Sequence, residues 1–184
     1  MLIRFVIIVA RKFLLPGSFN RISLIIFDDK DASLIFDLTS FPAPRDLWKA
    51  LKIIRYPPAS QNNPEALYRG LVLAHEILFG ASARPESSKV LVTVTTSRTA
   101  PNIKQVSSGI RSEGVESFAV DLNPLGNPDL AALVTQPSAG HLYKGDLSSR
   151  KKLRRSLRNV AASIVTSISG SVYFQKTSTL APSS

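Results

Sequence analysis

Three aspartates, Asp28, Asp29 and Asp31, crowd one short stretch, and Asp29-x-Asp31-x-Ser33 opens like a calcium-binding loop. Such a loop turns on a glycine at its sixth position and closes on a glutamate at its twelfth. Leu34 and Ser40 stand at those places, so the cluster reads as a solvated hairpin turn. His75-Glu76 begins like the helix of a zinc protease, but Phe79 replaces the second histidine that would share its face. The other histidine, His141, has no ligand-spaced neighbour. Without cysteine the chain has no disulfide and no thiolate nucleophile. No Gly-x-Ser-x-Gly elbow exposes a serine, and neither Gly-x-Gly-x-x-Gly nor a P-loop lysine signature is present. These readings leave no catalytic residue, no cofactor and no metal ligand set, and a non-enzyme is expected.

The strongest local charge feature is Arg150-Lys-Lys-Leu-Arg-Arg-Ser-Leu-Arg158, in a chain of formal net charge +10. On a helix at ~100° per residue, Lys151, Arg154, Arg155 and Arg158 share a face opposite Leu153, Leu157 and Val160. A solvated outer helix face accounts for that pattern. The sharper reading is a binding site for sulfated glycan or an anionic lipid surface. No aromatic residue interleaves with the basic ones, which argues against nucleic acid as a partner.

The elements that must position these groups follow from hydrophobic periodicity. The length of 184 residues and the 44% apolar content suit one α/β domain. Ile3, Val6, Ile7, Ala10, Phe13 and Leu14 have helical spacing, stopped by Pro16-Gly17. The apolar run Phe5–Ala10 is far short of the ~20 residues that span a bilayer, and no signal-peptide cleavage site follows it. Arg21–Phe27 and Ala32–Leu38 alternate and read as an antiparallel hairpin. Helices are predicted over Arg45–Arg55, with Leu47, Trp48, Leu51 and Ile54 inward, and from Asn63-Pro64 to Gly80, with Leu67, Leu71, Ala74 and Leu78 on one face. Lys89–Thr95 and Val115–Val120 are continuous β-branched and apolar runs, predicted to be neighbouring, nearly fully buried parallel strands. Helices are predicted over Ile103–Ser112, near Asp129–Val134, and along Leu153–Ile168, with a short edge strand at His141–Tyr143. Strand–helix alternation argues a doubly wound, mostly parallel sheet with helices on both faces.

This series resembles the von Willebrand factor type A domain family over roughly Ile3 to Val165. Arg21-Ile-Ser-Leu-Ile-Ile-Phe-Asp28 is similar to the family's second strand and Ala32-Ser-Leu-Ile-Phe-Asp-Leu38 to its antiparallel third. Asp46-Leu-Trp-Lys-Ala-Leu51 with Ile54-Arg-Tyr-Pro57 resembles the helix before the second metal loop. Ala66, Leu67 and Leu71 fall in its next helix, Lys89–Thr95 resembles the fourth strand, and Gly114–Val120 the fifth.

The resemblance implies a Rossmann-like sheet with one antiparallel edge hairpin. It also implies a protein-binding module, extracellular and of the adhesion or matrix type, acting through loops at the sheet's carboxyl edge. Metal-dependent members hold Mg²⁺ or Ca²⁺ with an Asp-x-Ser-x-Ser motif, a Thr and an Asp from three loops. Here the first motif is missing, Gln61 stands at the Thr position and Thr96 at the Asp position, with Arg98 close by. A metal-deficient site is therefore expected, with Ser60, Thr96 and Ser97 as ordinary loop hydroxyls. The chain starts at what resembles the first helix, so the family's central first strand is expected to be missing. That would leave two interior edges prone to self-association, and Ser171-Val-Tyr-Phe-Gln175 is the one spare strand-like segment. The expected domain covers residues 1–168 and a tail residues 169–184. Besides the interaction module, two readings stay open: a basic polyanion-binding protein working through the last helix, and a truncated copy without independent function.

Overall fold

The structure, a computed structural model, describes residues 2–13, 20–28, 30–54, 63, 65–80, 84–96, 98, 102–145 and 149–177. Helix α1 (Leu2–Phe13) precedes a hairpin of β1 (Leu24–Phe27) and β2 (Ala32–Phe36), paired antiparallel. The connection closes on Asp28, whose Oδ1 accepts the N–H groups of Lys30 and Asp31 at 2.9 and 3.0 Å. Those two bonds hold the Asp28 carboxyl below its usual pKa. The aspartate cluster is thus a turn former. Helix α2 (Pro44–Ile53) starts on a proline, which has no N–H to leave orphaned, and buries Leu47 and Leu51. Asn63 caps α3 (Glu65–Phe79) by accepting the Glu65 N–H at 3.0 Å.

Strand β3 (Val90–Thr95) leads through α4 (Ile103–Ser112) to β4 (Glu116–Asp121), which β5 (Leu142–Lys144) joins after two short 3₁₀ turns. Both pairings are parallel, and each needs a crossover: α4 provides it between β3 and β4, and the segment with the two 3₁₀ turns between β4 and β5. Gly114 sits at φ +79, the left-handed conformation that ends α4 and turns the chain into β4. Helix α5 (Arg150–Thr177) follows. It continues beyond residue 168, and the strand-like Ser171–Gln175 lies within it as helix, so that segment fills no place in a sheet.

Alternate residues of β4 point to opposite faces, and each face has its own apolar cluster. Phe118 and Val120 pack with Phe5 of α1 and with Leu153, Leu157, Val160, Ala161 and Ile164 of α5. Ala119 packs with Leu67 and Leu71 of α3 and Ile103 and Ile110 of α4. The inward stripe expected of α1 was too narrow. Val6, Ile7 and Ala10 face Phe36, Leu47 and Leu51, while Phe5, Ile8 and Val9, off that stripe, meet the cluster under α5. A helix lying between two clusters needs apolar residues on more than one row.

The α/β architecture is as expected, a parallel sheet with an antiparallel hairpin and helices on both faces, and β1–β2 and β3–β4–β5 are separate sheets among the described residues. One expectation needs correction. β4 is buried along nearly its whole length, but β3 buries only Thr93 and Thr95 fully. Among the described residues β3 has a hydrogen-bonded neighbour on one edge only, which leaves it less covered than β4. Both helix layers nonetheless continue across the division, as α1 and α3 each pack on strands of both sheets.

Candidate functional site

At the carboxyl edge of the parallel sheet, Thr95, Asp121 and Lys144 end β3, β4 and β5 side by side in register. Asp121 is buried at 3% exposure, and its Oδ1 accepts the Asn123 N–H at 2.9 Å. The backbone carbonyls of Thr95 and Asp121 accept from Leu122 and Gly145. Asn123 in turn accepts the Leu125 N–H through Oδ1 at 3.0 Å, and the Gly126 N–H donates to the Asn123 carbonyl. Gly126 holds φ +73, which L side chains rarely adopt. These bonds fix a tight loop that leaves the Leu125 side chain 78% exposed.

Of the two positions singled out as degenerate metal ligands, Thr96 is exposed directly after β3, and Gln61 lies outside the described residues, as do Ser60 and Ser97. Arg98 is exposed beyond Thr96. Sequence reasoning missed Asp121, because the apolar run it followed ends at Val120. The signal was available: an aspartate one residue past a buried strand stands at the sheet's carboxyl edge.

Lys151, Arg154, Arg155 and Arg158 are all exposed on α5, while Leu153, Leu157 and Val160 are buried beneath them. The structure thus groups the four on one face, as their spacing predicted. Among the described residues no acidic side chain pairs with any of the four. The first turn of α5 has no acidic residue. Cations there oppose the helix dipole, whose positive end they share.

The two histidines are spent on packing. His75 Nε2 lies 2.7 Å from Glu113 Oε1, tying α3 to the end of α4, and its ring contacts that of Phe79. His141 stacks on Phe118 at 4.7 Å, with Nε2 3.4 Å from Glu116 Oε1 and Nδ1 3.0 Å from the Pro137 carbonyl. On β5, Tyr143 donates its hydroxyl to the Gly140 carbonyl at 2.7 Å, and burial pushes its pKa up against an opposing Ser163 hydrogen bond.

A family model of the von Willebrand factor type A domain matches residues 2–156. Human matrilin-1 is 32% identical over 77 residues, which are 41% of this chain and 16% of that protein. Among solved structures, proximal thread matrix protein 1 from the mussel byssus superposes with a TM-score of 0.70 at 17% identity, covering 89% of this chain and 41% of that one. The manganese-loaded TRAP protein of Plasmodium vivax superposes with a TM-score of 0.59 at 10% identity, covering 85% and 65%. At such identities the structural likeness speaks for the fold alone. The chain spans less than half the length of matrilin-1 and of the byssus protein.

Proposed function

The chain belongs to the von Willebrand factor type A domain family, and from that premise we propose a non-enzymatic protein–protein interaction module of the adhesion and extracellular-matrix type. Open α/β sheets bind ligands at the carboxyl ends of their strands. The observation that carries the reading is the rigid loop at that edge, which presents Leu125 beyond the buried Asp121. Family membership supports a protein as the ligand and an extracellular setting.

The module works without a divalent cation. Hard cations such as Ca²⁺ take six to eight oxygen ligands, several of them carboxylates. Of the described strand ends, one contributes a carboxylate, Asp121, and its Oδ1 already accepts a backbone N–H. Thr96 contributes a neutral hydroxyl, and Gln61 has only an amide to contribute. This donor set does not fit Mg²⁺ or Ca²⁺.

The test is capture of matrix proteins from an extracellular extract by the immobilised chain, with and without chelator, against Leu125→Arg. The expected result is capture that chelator leaves intact and Leu125→Arg abolishes. Capture requiring Mg²⁺ or Ca²⁺ would overturn the cation-free reading, and indifference to Leu125→Arg would move the contact surface elsewhere.

A second reading, polyanion binding through α5, is favoured by one observation: four exposed cations on one face near the positive end of a helix, without acidic partners among the described residues. A sulfated glycan or anionic surface there would relieve both the mutual repulsion and the dipole conflict. Retention on heparin should fall steeply with salt and disappear when Lys151, Arg154, Arg155 and Arg158 are all changed to Gln. Unchanged retention in that variant refutes this reading.

A further inference from the structure

We propose that Leu125, Lys144 and the adjoining flank of α5 form one contact surface, and that its partner is an acidic protein segment led by an apolar residue. The inference rests on the reading of the sheet's carboxyl edge as the protein-binding site, and it names the partner's chemistry there. Lys144, at the end of β5, is the link. Its Nζ comes within 3.9 Å of the position a Cβ would take on Gly126, the residue next to the exposed Leu125. The ammonium therefore lies beside the loop that holds Leu125 in water.

In the other direction Lys144 leads onto α5. The Ser156 hydroxyl donates to the Lys144 carbonyl at 3.4 Å. A Cβ on Gly145 would stand 3.6 Å from Leu153 Cδ1, so the first turns of α5 lie against the end of β5. Helical residues four apart share a row, which puts Lys152 on the flank that carries Ser156, with Arg155 bordering it. Both cations are exposed. Arg155 also belongs to the cationic face with Lys151, Arg154 and Arg158, so positive charge passes from the sheet's edge onto that face.

Nothing acidic among the described residues offsets Lys144. Asp121, its partner in register, is buried and accepts the Asn123 N–H. Asp129, past the loop, lies 4.0 Å from Lys104. An apolar contact beside several cations is complemented by an apolar group followed by carboxylates. A protein segment supplies both in one chain. A sulfated glycan supplies the charge and leaves Leu125 in water. The formal net charge of +10 would draw such an acidic segment in from a distance.

The probe is an acetylated, amidated peptide, Gly-Phe-Leu-Glu-Asp-Glu-Glu, added to the whole folded chain. A binding isotherm and backbone amide chemical shifts are the readouts. Saturable binding is expected at one peptide per chain, with shifts at Leu125, Gly126, Lys144 and Lys152. Changing the peptide's acids to Gln and Asn, or its Phe-Leu to Ser-Ser, should weaken binding about tenfold or more. Lys144→Glu and Leu125→Ser should each cost about fivefold or more, and should leave the melting temperature unchanged because both side chains are exposed. If either variant does not fold, the peptide series decides the matter on the unaltered chain. No binding, equal binding of the neutral peptide, or shifts elsewhere overturns the proposal. A heparin hexasaccharide and phosphatidylserine-containing vesicles should be indifferent to Leu125→Ser. Peptide binding that is equally indifferent means that charge alone is recognised, and overturns the protein partner. Capture of matrix proteins separates this proposal from the reading beneath it. Capture lost in Leu125→Arg but kept by Lys144→Glu overturns the acidic partner alone, whereas capture indifferent to both overturns the edge reading as well.

Discussion

Val94 and Val120 are partners in register on adjacent strands, yet Val120 is fully buried and Val94 only half-buried. Their side chains reach the same cluster beneath α1 and α5. The strands that hold them were both predicted from sequence as short, buried apolar runs. The difference is lateral: β4 has β3 on one edge and β5 on the other, whereas β3 has β4 alone among the described residues. Hydrophobic pattern reports what covers the faces of a strand, and a half-covered strand can carry the pattern of a fully covered one.

Substitutions on the two strands should separate by size of effect. Phe118→Ala at the centre of β4 should cost about 3–5 kcal/mol, measured by urea unfolding, because removing a large, fully buried side chain leaves a cavity in the cluster beneath α1 and α5. A loss below about 1 kcal/mol would mean that β4 is not the centre of the core. The matched pair is sharper. Val120→Ala should cost about 2–3 kcal/mol, from lost transfer energy plus a cavity, and Val94→Ala about half of that. Equal losses would show that β3 is as enclosed as β4 and would remove the contrast.

The next test sits on the α3 wall of the division. Gly70→Val puts branched atoms where even a Cβ would stand 2.8 Å from the Phe27 ring, so overpacking of about 1–3 kcal/mol is expected. Insensitivity there would place α3 further from the hairpin than the close contact shows. The smallest effect is electrostatic and confined to the hairpin side. Asp28 accepts two backbone N–H bonds, and Asp37 accepts from the Ser40 hydroxyl and from Thr39, so both carboxyls ionise below their usual value of 3.8. A carboxylate with a lowered folded pKa adds stability above its unfolded pKa and loses it as pH falls through the folded value. Asp28→Asn with Asp37→Asn should therefore flatten the loss of melting temperature between about pH 4 and about pH 2. An unchanged acid slope would show that the two turns contribute nothing to acid sensitivity.

Sequence alone determined the elements and most of their inward faces. The continuous apolar run of Lys89–Thr95, the stripe Leu153-Leu157-Val160-Ala161-Ile164 and the proline and glycine punctuation of the helices are local signals. Side chains a few residues apart either share a face or do not, and folding preserves that. The outward grouping of Lys151, Arg154, Arg155 and Arg158 was legible for the same reason. What only the tertiary structure decided was lateral and long-range. The helical state of Ser171–Gln175 overrode a strand-like composition, because β-propensity is weak against the continuation of a helix already formed. The two histidines found Glu113 and Glu116 through packing of elements far apart in sequence. Asp121 became a buried anchor of the carboxyl-edge loop because its strand ends there beside β3 and β5. The edge of β3 away from β4, which has no strand beside it among the described residues, is the clearest case. Backbone donors and acceptors are the same in every residue, so no side-chain pattern records whether they have found a neighbour.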